Sequence, residues 1–179
     1  ERDLVEQSWG EEHPQFANAL NALADTLSSL GRDAEALPLL QRANAIYEHA
    51  LGPVNQQMTW SLVNEAETWA TLGQPEKGVP LARRALAIRL EMFGEEHPDT
   101  AIAWTDVGIA LMASGDLGSA EIELRKGLAA SRVAFTENEP ASLAEALGFL
   151  ADCLVRQGKS AEARPLYEKW NSYSRVRVN

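Results

Sequence analysis

Apolar residues recur along this chain at a helical period, and those helical runs themselves recur. Leu20, Leu23, Ala24 and Leu27 fall at i, i+3, i+4 and i+7, which places them on one stripe of an amphipathic helix. Gly31 follows where such a helix would stop, the usual position of a glycine after a helix. Asp33 is a candidate cap for a second helix, whose stripe would run Ala36, Leu40, Ala43 and Ala50. Pro14 and Pro98 stand where a first helical turn accepts proline, because the missing N–H had no partner there. Pro38, Pro80 and Pro165 share a column just inside the second helices, where each removes at most one backbone bond and bends the helix slightly.

The helix pair is a repeating unit. Gly10, Gly52 and Gly94 are 42 residues apart, and Gly31, Gly73 and Gly115 keep that interval. Gly10-Glu11-Glu12-His13-Pro14 returns as Gly94-Glu95-Glu96-His97-Pro98, and Ala43-Asn44-Ala45-Ile46 as Ala85-Leu86-Ala87-Ile88. Pro140 stands three periods after Pro14, whereas Gly158 comes one residue late relative to Gly31, so one residue is inserted between Pro140 and Leu147. The copies divide as 10–51, 52–93, 94–135 and 136–179, the fourth opening near Thr136. Leu4 to Trp9 precede Gly10 much as Leu86 to Phe93 precede Gly94. Residues 1–9 are therefore expected to be the tail of an earlier second helix or an N-terminal cap, and the chain to be a fragment or to begin with a short helix. No helix of this kind buries its stripe alone; stacked neighbours share one continuous core. Each fully buried Leu or Phe then contributes about 1.5–3 kcal/mol.

Composition narrows what such an array does. Hydrophobic residues make up 45%, a globular proportion. The net charge of −10 argues against nucleic acid, which requires a basic stripe, and favours basic partners. The longest apolar stretch, Val107 to Ala113, is far short of the ~20 residues of a membrane span. Glu1-Arg2-Asp3 is charged and no apolar region follows, so no signal peptide is expected and the expected location is cytoplasmic. Cys153 is the sole cysteine, which excludes an intrachain disulfide and is compatible with a reducing compartment.

Catalytic and metal chemistry find no foothold. His13 and His97 sit in equivalent repeat openings, where helix-start packing is the expected role, and His49 has no histidine at helical spacing. The pairs Glu11-Glu12 and Glu95-Glu96 precede helices, where negative charge favours the macrodipole. There is no phosphate loop, dinucleotide glycine motif or nucleophile elbow. No enzyme activity, cofactor or metal is expected.

The repeat residues themselves match a known family. The third copy carries Trp104, Val107, Gly108, Leu111, Ala120, Leu124 and Gly127; the fourth carries Leu147, Leu150, Ala151, Leu154, Ala163 and Tyr167. This resembles the tetratricopeptide pattern, and the 42-residue period with its Gly-Glu-Glu-His-Pro opening resembles the kinesin light chain variety, from Gly10 to about Tyr173. The resemblance implies an all-α fold, a right-handed superhelical solenoid of four helix-turn-helix repeats. Two residues depart from the pattern. Glu65 stands where other copies have Leu23, Val107 and Leu150, and is expected to reach an edge or meet Arg83 or Arg84. Trp170 replaces Ala43, Ala85 and Gly127, which implies an end to the array or a packing change in the last copy.

The resemblance also implies a concave groove lined by the first helices. Columns opposite the buried stripe are Asn18, Trp60, Ile102, Glu145; Ala22, Asn64, Asp106, Phe149; and Asp25, Glu67, Ile109, Asp152. A flank adds Asn21, Val63, Thr105 and Gly148, with Arg156 near the last turn. The three columns hold five acids beside Trp60, Ile102, Ile109 and Phe149, and Asn64 is placed to hydrogen-bond a main chain, as groove asparagines do in the family. Kinesin light chains that bind acidic cargo use basic groove residues, which are missing here. The expected function is therefore a non-catalytic scaffold holding a protein or peptide segment with apolar and basic side chains. The alternatives are a spacer or end-to-end self-assembly module, or a regulatory segment of a larger signalling protein. A second-helix column, Arg42, Arg84, Lys126 and Lys169, is read as a solvated face pairing with acids such as Glu48 and Glu91 rather than as an anionic docking ladder.

Overall fold

The computed structural model describes residues 10–134 and 140–175. Among these residues the chain is all-α: α1 (Pro14–Ser29), α2 (Asp33–Leu51), α3 (Gln56–Thr71), a 3-10 turn (Pro75–Lys77), α4 (Gly78–Phe93), α5 (Pro98–Ser114), α6 (Leu117–Ala134), α7 (Pro140–Arg156) and α8 (Ser160–Arg175). The expectations for residues 1–9 and for an opening near Thr136 lie outside the described residues. The chain divides between Met92 and Phe93 into two compact units.

The repeat openings are caps. His13 Nδ1 accepts the Gln15 N–H at 3.1 Å, and His97 Nδ1 accepts the Asp99 N–H at 3.1 Å, each with proline as the next residue. The His97 ring also stacks on Phe93, 4.5 Å between centroids. Replacing His97 by alanine is expected to lower stability by about 1 kcal/mol in urea unfolding, and by asparagine to lower it less, because asparagine keeps the capping acceptor and loses only the ring contact. At the other end of α1, Gly31 adopts φ +70° and lets the Arg32 N–H turn back to the Leu27 carbonyl at 2.9 Å. Asp33 does not cap α2: the N-cap is Arg32, which makes no capping bond through its side chain, and Asp33 is the first helical residue, favoured there by the helix dipole.

In the first unit, Phe16, Ala17 and Leu20 of α1 pack with Ala43, Ile46 and Tyr47 of α2, Met58 and Leu62 of α3, and Ala85 and Ile88 of α4. Ala24, Leu27, Ala36 and Leu40 form a smaller cluster, against which the half-buried Leu23 packs. The α2 stripe turns out to run through Ile46 and Tyr47, while Ala50 is exposed. Gly78 marks a close approach: a Cβ there would lie 2.6 Å from the Ala66 carbonyl oxygen of α3. In the second unit Val107, Gly108 and Leu111 of α5 bury against Ala120, Leu124 and Gly127 of α6, and a Cβ on Gly108 would meet the Leu124 side chain at 2.5 Å. Leu147, Leu150, Ala151 and Leu154 of α7 are likewise buried, and α7 carries one residue more between its proline and its glycine than α1 or α5.

Glu65 is buried, and among the described residues its carboxylate is met by neutral donors rather than by Arg83 or Arg84. Its carboxylate accepts from Asn44 Nδ2 at 2.8 Å, Gln41 Nε2 at 3.3 Å and Trp69 Nε1 at 3.3 Å. Arg84 instead pairs with Glu48 at 2.8 Å. Neutral donors from α2 and from the next turn of α3 compensate the desolvation that an arginine was expected to compensate. Cys153 is buried as a small core residue, its Sγ 3.5 Å from the Leu117 carbonyl oxygen, and burial pushes its thiol pKa up.

The basic column is solvated and paired. Arg42 meets Glu11 and lies 4.9 Å above the Phe16 ring, Arg84 meets Glu48, and Lys126 meets Glu123 at 3.1 Å while lying 4.5 Å from the Trp104 ring. Lys169 lies over Tyr173. Such half-exposed pairs each contribute about 0–1 kcal/mol.

Candidate functional site

Within the first unit, α1 and α3 contact one another and turn polar faces the same way. Asn18, Asn21, Ala22 and Asp25 share one face of α1; Trp60, Val63, Asn64 and Glu67 share one face of α3. Bonds cross between them: Ser61 Oγ donates to Asn21 Oδ1 at 2.9 Å, and Asn64 Nδ2 donates to Asp25 Oδ1 at 2.7 Å. Tyr47, rising from α2, accepts from Asn21 Nδ2 at 3.1 Å and donates to Asn18 Oδ1 at 2.6 Å. Three helices are thus tied by one chain of hydrogen bonds.

Beside that chain lies a cleft of about 320 Å³ lined by Asp25, Ser28, Asn64, Glu67, Thr68 and Thr71. Burial raises the Asp25 pKa; burial and then the Asp25 charge raise that of Glu67. One amide hydrogen of Asn64 is committed to Asp25, so this asparagine orders the acids as well as facing the cleft. Trp60 is 52% exposed, and the buried Arg89 of α4 places its guanidinium 4.9 Å from the ring centroid. Val63 packs partly into the core and lies beneath the polar face.

In the second unit Ile102, Asp106 and Ile109 of α5 are half-buried, and Thr105 is buried against Gly127 of α6, where a Cβ would come within 2.7 Å of its hydroxyl. Glu145 and Asp152 of α7 are exposed and Phe149 is half-buried. These three, with Gly148 of α7 and Tyr167 and Trp170 of α8, line a cavity of about 270 Å³. The Tyr167 hydroxyl donates to Asp152 Oδ1, and that carboxylate raises the Tyr167 pKa. The Trp170 indole rests on Gly148, 3.4 Å from where a Cβ would stand.

The first unit brings Asn21, Asp25, Asn64 and Glu67 together and the second brings Glu145, Phe149 and Asp152 to one cavity, and each adds second-helix residues that spacing did not reveal: Tyr47 and Arg89 in the first, Tyr167 and Trp170 in the second. A signal was present. Tyr47 and Arg89 share a column, and both have a long shaft that crosses the core to a polar tip. Among the described residues no group of three or more His, Cys, Asp or Glu is placed to hold a metal ion, and no helix is long and apolar enough to cross a membrane.

Three tetratricopeptide repeat models match residues 16–56, 57–132 and 144–169, which together span most of the chain. The chain is a tetratricopeptide repeat protein. The curated proteins offer no match to it. Among solved structures, this tetratricopeptide repeat protein is similar to the nearly identical TPR-like repeats of a kinesin light chain-like protein from Podosopora anserina, at 22% identity and TM-score 0.80, covering 99% of this chain and 84% of that one. It is similar to BtubC (BKLC) from P. vanneervenii at 17% identity and TM-score 0.81, covering 92% and 65%. A Rap protein complexed with Competence and Sporulation Factor matches at 17% identity and TM-score 0.76, covering 90% of this chain and 43% of that one. The all-α solenoid fold class follows. Tetratricopeptide repeats are protein-interaction scaffolds, typically non-catalytic, and this chain is built from them.

Proposed function

We propose that the first-helix face of this tetratricopeptide repeat protein holds a polypeptide segment carrying basic and apolar side chains. The observation that carries this reading is the cleft lined by Asp25, Asn64 and Glu67, in which the Asp25 charge raises the Glu67 pKa. Two carboxylates that repel each other are stabilised together by one incoming lysine or arginine. Trp60, half-exposed about two turns away on the same face of α3, supplies an apolar anchor of the kind that concentrates binding energy. The Rap protein solved with Competence and Sporulation Factor supports the idea that this fold accepts a partner. On this reading Asn18, Asn21 and Asn64 order the face, while Ile102, Asp106, Ile109, Phe149 and Asp152 present a corresponding surface on the second unit.

A panel of fluorescent basic peptides with apolar flanks tests the proposal by anisotropy. Asp25→Asn with Glu67→Gln preserves shape and is expected to weaken binding about tenfold, since removing charge from a partly desolvated pair costs on the order of 1–2 kcal/mol. Bound cations would return both carboxyls toward ordinary pKa values, so binding releases protons and weakens as pH falls through their raised values. That dependence should vanish in the double variant. Binding across the panel that survives Trp60→Ala and Asp106→Lys, at unchanged pH dependence, would overturn the reading.

A further inference from the structure

The cavity between α7 and α8 carries an inference of its own, independent of the cleft on α1 and α3. Three of its residues are aromatic, and at each of those positions no other copy of the repeat has an aromatic. Phe149 stands where the others have Ala22, Asn64 and Asp106; Tyr167 where they have Leu40, Ala82 and Leu124; Trp170 where they have Ala43, Ala85 and Gly127. Gly148 is the reciprocal change, replacing Asn21, Val63 and Thr105, and it gives the Trp170 indole its seat. Four columns change together in one copy, and all four residues meet at one cavity. Core packing alone does not require this: Leu147, Leu150, Leu154 and Ala163 already bury the stripe of that helix pair.

The chemistry of the walls selects a ligand. Aromatic faces attract cations, and Glu145 and Asp152 add negative charge at the same opening. Two cations of α8 are engaged elsewhere, Lys169 over Tyr173 and Arg164 with Glu168, while Arg156 stands exposed one turn beyond Asp152 on α7. A primary ammonium would bring three strong donors into a cavity where Asp152 Oδ1 already receives the Tyr167 hydroxyl. A methylated ammonium brings no such demand, is weakly hydrated, and spreads its charge over C–H surface that rings accommodate. The volume of about 270 Å³ is below the usual range for a drug-sized ligand and suits a head group.

We propose that Phe149, Tyr167 and Trp170, with Glu145 and Asp152, form a cage for a methylated ammonium group. Two sources present that chemistry: a methylated lysine in a polypeptide and a free choline-type molecule.

The test is an NMR titration of the full chain, following the Gly148 amide and the Trp170 indole N–H. The probes are choline, a trimethyllysine peptide, the same peptide with unmethylated lysine, and 3,3-dimethylbutanol as the neutral isostere of choline. Both methylated probes are expected to shift the two signals, with the neutral isostere and the unmethylated peptide at least about fivefold weaker. Phe149→Ala and Trp170→Ala should each weaken binding about fivefold or more, while Trp170→Phe, which keeps a ring, should stay within about threefold of wild type. Glu145→Gln with Asp152→Asn should weaken the charged probes and leave the isostere unchanged. Tighter binding by the trimethyllysine peptide assigns the polypeptide source; tighter binding by choline assigns the free molecule. No shift at either signal at millimolar ligand, or equal binding by the neutral isostere, overturns the proposal. The Asp25→Asn/Glu67→Gln variant should bind every probe unchanged, which separates this site from the cleft on α1 and α3.

Discussion

Leucine at position 65 will destabilise the first unit, although leucine or valine is what three other copies of the repeat carry there. Glu65→Leu removes the acceptor for Asn44, Gln41 and Trp69, and Asn44 is itself buried. A buried donor left unmatched costs about 1–3 kcal/mol, and Asn44 cannot turn to solvent as Gln41 can. We expect a loss of about 2–4 kcal/mol in urea unfolding, beyond what the added apolar contact returns. The columns suggest the remedy. Where the first copy has Asn44 and the second has Glu65, later copies have Leu86 followed by Val107, and Leu128 followed by Leu150. Asn44→Leu combined with Glu65→Leu should therefore recover at least about half of the loss, since the two residues couple as neighbours. Equal loss in single and double variants would show that the polar pair does not act as a unit.

Tryptophan at position 127 will have an effect of similar size or larger in the second unit. Its column already holds Trp170 in the fourth copy, but there the opposing residue is Gly148. At Gly127 a Cβ alone would stand 2.7 Å from Thr105 Oγ1 and 3.1 Å from the Thr105 backbone nitrogen. Backbone cannot yield as a flexible side chain does, so Gly127→Trp is expected to cost at least about 3 kcal/mol by thermal or urea unfolding. Adding Thr105→Gly reproduces the arrangement of the fourth copy and should return part of that loss, less about 1 kcal/mol for a glycine inside a helix. Failure of the second substitution to help would mean that α5 and α6 approach more closely than α7 and α8 and cannot be parted.

These two sites show where sequence reading succeeds and where it stops. The helix pairs, their glycine stops and their proline starts were legible because each depends on residues close in sequence. His13 and His97 were placed at helix starts for the same reason, although imidazole is an unusual cap. Glu65 was recognisable as a departure, yet its partners were not. Gln41 and Asn44 reach it from the preceding helix, and the rotation of α2 against α3 decides which side of α2 faces the carboxylate. Asp33 was misplaced by one position, the ordinary uncertainty of a helix boundary. The acidic and aromatic face was legible in outline, because opposite faces of a helix follow from spacing. The contributions of Tyr47, Arg89, Tyr167 and Trp170 were not, because they arrive from the other helix of the pair. Gly148 and Trp170 could have been matched in advance as a size exchange between two columns, but only by knowing that the columns oppose each other.

The hydrogen-bond chain through Asn18, Tyr47, Asn21 and Ser61 bears on how such arrays change by duplication and exchange. Repeats are often regarded as interchangeable cassettes, joined by generic apolar seams. Here the first seam is keyed: its polar groups come from the first copy on one side and the second copy on the other. A cassette of residues 94–135 placed over 10–51 would put Thr105 in the place of Asn21 and Ser131 in the place of Tyr47, and the key would be lost although the apolar columns of Leu23, Leu27 and Leu40 were matched by Val107, Leu111 and Leu124. Recombination within this chain is therefore restricted by a few asparagines and one tyrosine, and the order of its copies is itself an inherited trait.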